Sequence, residues 1–380
     1  MLSEPTYLAA RMVSATIARH FAKHVKAVSA LTNHPLASPP DASIIEAVID
    51  IAFWASLRRE EGHSPKISIA LLQPGESEKP LLFGEKLRMT PQNLVKLAPA
   101  VAQPGIHLGV WPEGDNLCIW GTTHSVPGIC FVLEVVEPGL LVIKHRRVEG
   151  FGKFVNVAVL QGDQIKILDE DSMGIADCPA LMASLNSMPL PSSMGDSFNL
   201  LVQLSASMRL HGKGGLVLIV PENSTGWQNS IIQPIKYPVN PPYSAISELM
   251  TQSEAEQDEL EWQDALLQAI DLIGGFTAVD GATIITQNYN LLAFGAKVAR
   301  SANSIPVEEM VLTEPVADGK AIRIHPAQHG GTRHLAAAQF VHDQPEAVAL
   351  VASQDGQFTI FAWSAALQRV HAHRIDALLW

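Results

Sequence analysis

Residues 196–220, DSFNLLVQLSASMRLHGKGGLVLIV, join an amphipathic segment to a wholly apolar one. Asp196 suits a helix N-cap, the glycines at 212, 214 and 215 close that helix, and LVLIV (216–220) reads as a buried strand. A strand with no polar alternation needs cover on both faces, so the stretch predicts a mixed sheet with helices over it. Working outward, a long helical stretch is expected over 243–276, and a hairpin in FTAVDGATIITQNYNLLAFGAKV (276–298). Then follow a helix in TRHLAAAQFV (332–341) and two closing strands, AVALVAS (347–353) and QFTIFAW (357–363).

Upstream, 5–30 and 42–60 read as amphipathic helices parted by the proline-rich NHPLASPPD (33–41), with Asp41 as an N-cap. From residue 66 the texture changes to short β-rich runs: KISIALLQPGE, GIHLGVWPEGDNLCIWG, ICFVLEVVEPGLLVIKHRR and FVNVAVLQGDQIKILDED. The Ser/Pro/Asn/Gly-rich SLNSMPLPSSMGDS (184–197) suits a linker. The expected fold class is α/β: an α+β, sensor-like domain at 1–190 and a mixed-sheet domain covered by helices at 196–380.

One internal echo is present. Residues 61–75, 81–101 and 106–121 follow the order strand, loop, basic-apolar segment, helix, hairpin, and so do 211–224, 231–250 and 278–295. A common α/β texture accounts for this more simply than duplication does.

Hydrophobic content of 47% with 17% charged residues describes an ordinary globular protein. A net charge of -12 argues against broad nucleic-acid binding, which rests on Lys and Arg. No run of about 18 apolar residues offers a membrane span. Cys118, Cys130 and Cys178 are too few and too scattered for a disulfide framework or zinc knuckle, which points to a reducing, cytoplasmic setting. His371 and His373, in HAHR, have no Cys or acid at ligand spacing and are not read as a metal site.

Two short motifs carry chemistry. In VDGATII, Asp280 is a carboxylate at a strand start that suits a divalent metal, and Gly281 and Ala282 are small enough to admit a nucleotide. The same Asp-Gly is equally a solvated hairpin corner. In GGTRH, Gly330 and Gly331 expose backbone N–H groups where a helix begins, a place that attracts anions. Thr332 adds a hydroxyl, Arg333 a phosphate-matching fork and His334 a second donor. The plainer alternative is a helix entry with Thr332 as N-cap and Arg333 on the surface. A basic cluster, Lys144, His145, Arg146 and Arg147, with Lys153 nearby, is a candidate regulatory anion site or else a charged edge strand.

The order DGA (280–282), GTRH (331–334), then ASQDGQFTIF (352–361) resembles the diadenylate cyclase (DAC) domain family, whose members show DGA, a GTRHR helix start and an SEETG turn. The resemblance covers roughly 198–380. The segments HGKGGLVLIVP, RHLAAAQF and SQDGQFTIFAW are similar to the subgroup described as DACNV sensor-domain proteins. The resemblance implies condensation of two ATP into cyclic di-AMP, with a divalent metal (Mg or Mn), across two facing domains and hence in a homo-oligomer. Asp280 would bind the metal and activate the hydroxyl, while Arg333 and His334 would bind phosphate. Gly281, Ala282, Gly331, Thr332, Ser353, Gln354 and Asp355 would line the nucleotide. Two departures bear on turnover: Leu335 stands where the family has its second Arg, and SQDG stands for SEETG. The alternative implied is a catalytically degenerate sensor of ATP or a cyclic dinucleotide. No membrane or nucleic-acid partner is expected.

Overall fold

The computed structural model describes residues 6–29, 35–103, 105–146, 148, 154–168, 177–185, 199–257, 259–302, 304–317 and 319–379. The chain divides into two units at Leu168. The expected boundary near 190 is therefore moved upstream, because Cys178 and Leu181 are fully buried in the core of the second unit.

The first unit opens with helices α1 (Leu8–Ser29) and α2 (Ala42–Ser56). The buried Asp50 carboxylate of α2 accepts from the backbone N–H groups of Thr6 (2.8 Å) and Tyr7 (2.7 Å), which tethers the entry to α1. Then come β1 (Ile67–Leu71), β2 (Leu81–Arg88), α3 (Pro91–Leu97), β3 (His107–Glu113), β4 (Asn116–Thr123), β5 (Phe131–Glu137), β6 (Leu140–Arg146), β7 (Phe154–Gln161) and β8 (Gln164–Ile167). The sheet order is β2-β4-β3-β1-β5-β6-β7-β8. One face packs Ile67, Ile69, Leu133 and Val135 against Ile45, Val48 and Ile49 of α2 and Phe21 of α1.

The second unit comprises α4 (Pro179–Leu185), α5 (Leu200–Leu210), β9 (Gly215–Val220), β10 (Tyr237–Tyr243), α6 (Ala245–Met250), α7 (Glu254–Gln257) and α8 (Leu260–Phe276). It continues with β11 (Ala282–Thr286), β12 (Leu291–Ala296), β13 (Met310–Thr313), β14 (Ile322–Ile324), α9 (Pro326–His329), α10 (Thr332–Asp343), β15 (Val348–Ala352), β16 (Phe358–Ser364) and β17 (Arg369–Arg374). The cap of α5 is Asn199, whose side chain accepts from Leu201 and Val202 N–H; Asp196 lies outside the described residues. The sheet order is β10-β12-β11-β9-β15-β16-β17-β13-β14. As expected for a fully apolar strand, β9 is covered on both sides. Val217 and Ile219 pack with Leu266 and Ile270 of α8, whereas Leu216, Leu218 and Val220 share a core with Ala337, Phe340 and Val341 of α10.

The echo in the sequence is a repeat of topology. The order β2-β4-β3-β1-β5-β6-β7 corresponds strand for strand to β10-β12-β11-β9-β15-β16-β17. β1 runs parallel to β3 and antiparallel to β5, as β9 does to β11 and β15. Similar texture alone does not dictate a shared crossover order, so the reading as mere texture is corrected. The units differ in one insertion. Residues 124–130 suffice to join β4 to β5, whereas 297–347 join β12 to β15 and carry β13, β14, α9 and α10. The GGTRH helix start thus belongs to the second unit alone.

A buried histidine is expected to make the first unit acid-sensitive. His107 is 2% exposed, its Nδ1 lies 2.7 Å from Ser68 Oγ, and burial lowers its pKa from 6.5 to about 4. A depressed folded-state value means the unfolded chain binds the proton first. Stability is therefore whole above about 6.5 and is lost as pH falls towards 4. Thermal melting at successive pH values should show this decline, and His107→Gln, which does not titrate, should flatten it. An unchanged slope would remove His107 from that role.

No described helix is long and apolar enough to cross a membrane.

Candidate functional site

The start of α10 and the β15–β16 turn form one cleft of about 410 Å³, lined by His329 to His334 and by Val351 to Asp355 with Gln357. Its floor follows from the local sequence. Gly331 is the N-cap of α10, and His334 and Leu335 N–H both turn back to its carbonyl (3.0 and 3.3 Å). Backbone N–H groups of the first turn are thereby left facing outward, where the helix dipole favours an anion. Gly330 is extended (φ −177°), so its backbone suits any residue. What demands glycine is the His334 ring, which occupies the space a Cβ would need.

His334 is not the surface donor its sequence position suggests. It is 4% exposed, edge-on to His329 (5.0 Å) and Phe361 (6.0 Å), and burial lowers its pKa, which favours the neutral ring. Among the described residues its Nε2 is buried without a hydrogen-bond partner. Such an atom costs about 1–3 kcal/mol unless something meets it. His329, which the sequence reading missed, closes the same wall: its Nε2 lies 3.0 Å from Thr359 Oγ1 and its pKa is lowered to about 4, mainly by burial.

Arg333 is partly buried, and among the described residues no ion pair or hydrogen bond engages its guanidinium. Its Nη1 lies 3.0 Å from where a Cβ on Gly214 would sit, so glycine at 214 (φ +70°) makes room for it. In the sequence Gly214 signals only the end of a helix.

The β15–β16 turn is internally tied. Ser353 N–H donates to Gln357 O (2.9 Å), Gly356 N–H to Ser353 O (3.3 Å), and the Ser353 hydroxyl donates to the Asp355 carboxylate. That last bond is the chief reason Asp355 has a lowered pKa. Gln354 reaches towards Lys213 O (3.4 Å). The structure therefore gathers Gly331, Thr332, Arg333, His334, Ser353, Gln354 and Asp355 around one cavity.

Asp280, Gly281 and Ala282 are not in its walls. The parallel register that sets Ala282 opposite Leu216 carries Asp280 to the end of the sheet where Gly214 meets Arg333. Asp280 is exposed there. Gly281 (φ +109°) is not a space left for a nucleotide: a Cβ would lie 2.5 Å from Gly295 C and 2.8 Å from Ala296 O. Ala282 is 1% exposed and packs in the core beside α10. Among the described residues, the groups close enough to share one metal ion do not include Asp280. A lone exposed carboxylate fits Mg²⁺ or Mn²⁺ only where phosphate oxygens complete the shell.

The basic cluster of the first unit is dispersed. Lys144 is paired with Glu134 (2.6 Å), and Arg146 donates to Val126 O and shares a cleft of about 110 Å³ with Glu76 and Glu78. His145 packs against His20 and Phe21. Each of the three is engaged by its own local partner, which is why adjacency in sequence made no patch. Arg147 and Lys153 lie outside the described residues.

Residues 34–124 match the family model described as Probable sensor domain DACNV. The match spans α2, β1, β2, α3, β3 and β4, the first part of the repeated topology, and contains none of the DGA, GTRH or SQDG residues. None of the curated proteins matches the chain.

Proposed function

We propose that the chain is a nucleotide-responsive signalling protein whose second unit binds the phosphates of ATP or a cyclic dinucleotide at the start of α10. The observation that carries this reading is the buried His334 Nε2, without a partner among the described residues, in a cleft shared with an Arg333 that none of them engages. A phosphate seated there would accept from the N–H groups of Thr332 and Arg333 and from the Arg333 fork. The neutral His334 ring, as the Nε2–H tautomer, would add a donor from the buried side. The first unit repeats the sheet without this helix and carries the sensor-domain match, which suits a regulatory partner to the binding unit.

A second reading, diadenylate cyclase activity, is favoured by Asp280 at the same end of the sheet. A divalent ion held by Asp280 and phosphate oxygens would neutralise charge near the attacked phosphorus. This chain's own residues would hold one ATP per second unit, and two copies would have to face each other. Cyclase activity should then rise with protein concentration and vanish in Asp280→Asn.

Calorimetry of the full chain with ATP, cyclic di-AMP and adenosine tests binding. Incubation with ATP and Mn²⁺ or Mg²⁺, assayed for cyclic di-AMP and pyrophosphate, tests turnover. Binding without product selects the sensor; product selects the cyclase; neither rejects both.

Leu335 is 39% exposed, so Leu335→Arg should not bury a charge. Stability should stay within about 0.5 kcal/mol of the parent, as for surface substitutions generally, and ATP affinity should rise if the cleft lacks only phosphate-binding charge. Unchanged melting with unchanged affinity would show that an added guanidinium at 335 does not reach the phosphate.

A further inference from the structure

We propose that Cys178, His371 and His373 form a binding site for a Zn²⁺-class metal ion within the second unit. Cys178 directly precedes α4, while His371 and His373 alternate along β17 and so share one face of the strand. Sequence spacing hid the cluster, because its cysteine stands 193 and 195 residues before the two histidines. The reading of HAHR as lacking a ligand partner is corrected by the fold.

Cys178 Sγ lies 3.9 Å from His371 Nδ1 and 3.4 Å from His373 Nε2, and the three donor atoms fall within 4.8 Å of one another. Tetrahedral zinc, with bonds of about 2.3 Å to sulfur and about 2.0–2.1 Å to nitrogen, separates those atoms by about 3.6 Å. The cluster is therefore already near liganding size. All three residues are buried, at 0%, 3% and 0% exposure.

The outward nitrogens strengthen the case. His371 Nε2 and His373 Nδ1 lie 3.1 and 3.2 Å from the same Thr313 Oγ1, on β13. One hydroxyl thus orients both rings with their other nitrogens towards the sulfur, the arrangement that second-sphere groups give to liganding histidines. Asp177, adjacent in sequence, is exposed and is not among the groups close enough to share the ion, so the protein ligands are these three and a water would take the fourth position. Thiolate with imidazole favours Zn²⁺ over Mg²⁺ or Ca²⁺. On binding, the Cys178 proton would leave to solvent and a metal–sulfur bond would form. The ion would clip the segment before α4 to β17.

The full chain, stripped with chelator and titrated with Co²⁺, should take up one equivalent at this site. It should show tetrahedral visible bands and a near-ultraviolet thiolate-to-cobalt charge-transfer band, both displaced by Zn²⁺. Cys178→Ser should abolish the charge-transfer band, and Thr313→Val should weaken affinity by about 10- to 100-fold. His20→Ala should leave the band intact; it alters the separate His20–His24–His145 group of the first unit. Cys118→Ser and Cys130→Ser should also leave it, which keeps the test decisive if Cys178→Ser fails to fold. Absence of a charge-transfer band in the parent protein, or its persistence in folded Cys178→Ser, would overturn the proposal.

Discussion

Arg333→Ala is expected to weaken binding of ATP or cyclic di-AMP by about 10- to 100-fold and to leave adenosine binding unchanged. Hydrogen bonds to a charged group are worth about 1.5–3 kcal/mol, and a guanidinium supplies them as a fork. The selectivity for phosphate follows from the place of Arg333: at the start of α10, beside Gly214 and uncommitted to any acid among the described residues. Calorimetry with the three ligands checks this. Equal loss for adenosine would mean that Arg333 supports the cleft wall and not the ligand. Melting should change little, since no internal bond of the guanidinium is removed.

Gly281→Val should cost about 2 kcal/mol or more, the combined penalty of a left-handed backbone and of overpacking. The neighbours a side chain would meet are the backbone atoms of Gly295 and Ala296, which cannot rotate away. For a unit of this size the melting temperature should fall by roughly 4–8 °C. Gly275→Val offers a contrast, because a Cβ there meets nothing within 4 Å and the position lies in α8; helix propensity favours Val slightly over Gly, so its melt should match or slightly exceed the parent's. A parent-like melt for Gly281→Val would mean that β11 and β12 separate more easily than their packing implies.

The architecture was legible wherever periodicity and punctuation agreed. The helix-to-strand passage at 200–220, the DGATII hairpin and the α10–β15–β16 succession all stand where patterning puts them. Three features were not legible, each for a physical reason. β10 contains Pro238, Pro241 and Pro242, which argue against a central strand; it survives because it is the sheet's edge, where missing N–H donors are tolerated. β17 interleaves His and Arg with small apolar residues, so its burial is invisible to hydropathy, although Val370 to His373 are all buried. The repeat was half-visible: local order echoed, but crossover topology is a property of long-range pairing that no window of sequence contains.

For the site, GTRH and SQDG were legible as neighbours of a cleft, and their convergence was not deducible from spacing alone. The inward turn of His334 was missed because a histidine in the first turn of a helix is ordinarily exposed. Its signal is Gly330, whose lack of a side chain leaves room for the ring. His329 and Gly214 were missed because each reaches the cleft from a separate element.

A crystal structure of the full chain with ATP or cyclic di-AMP would show whether the start of α10 holds nucleotide phosphate. A phosphate is expected within hydrogen-bond distance of the Thr332 and Arg333 N–H groups, the Arg333 guanidinium and His334 Nε2. A nucleotide bound with those groups still unpartnered, or seated only in the first unit, would contradict that expectation.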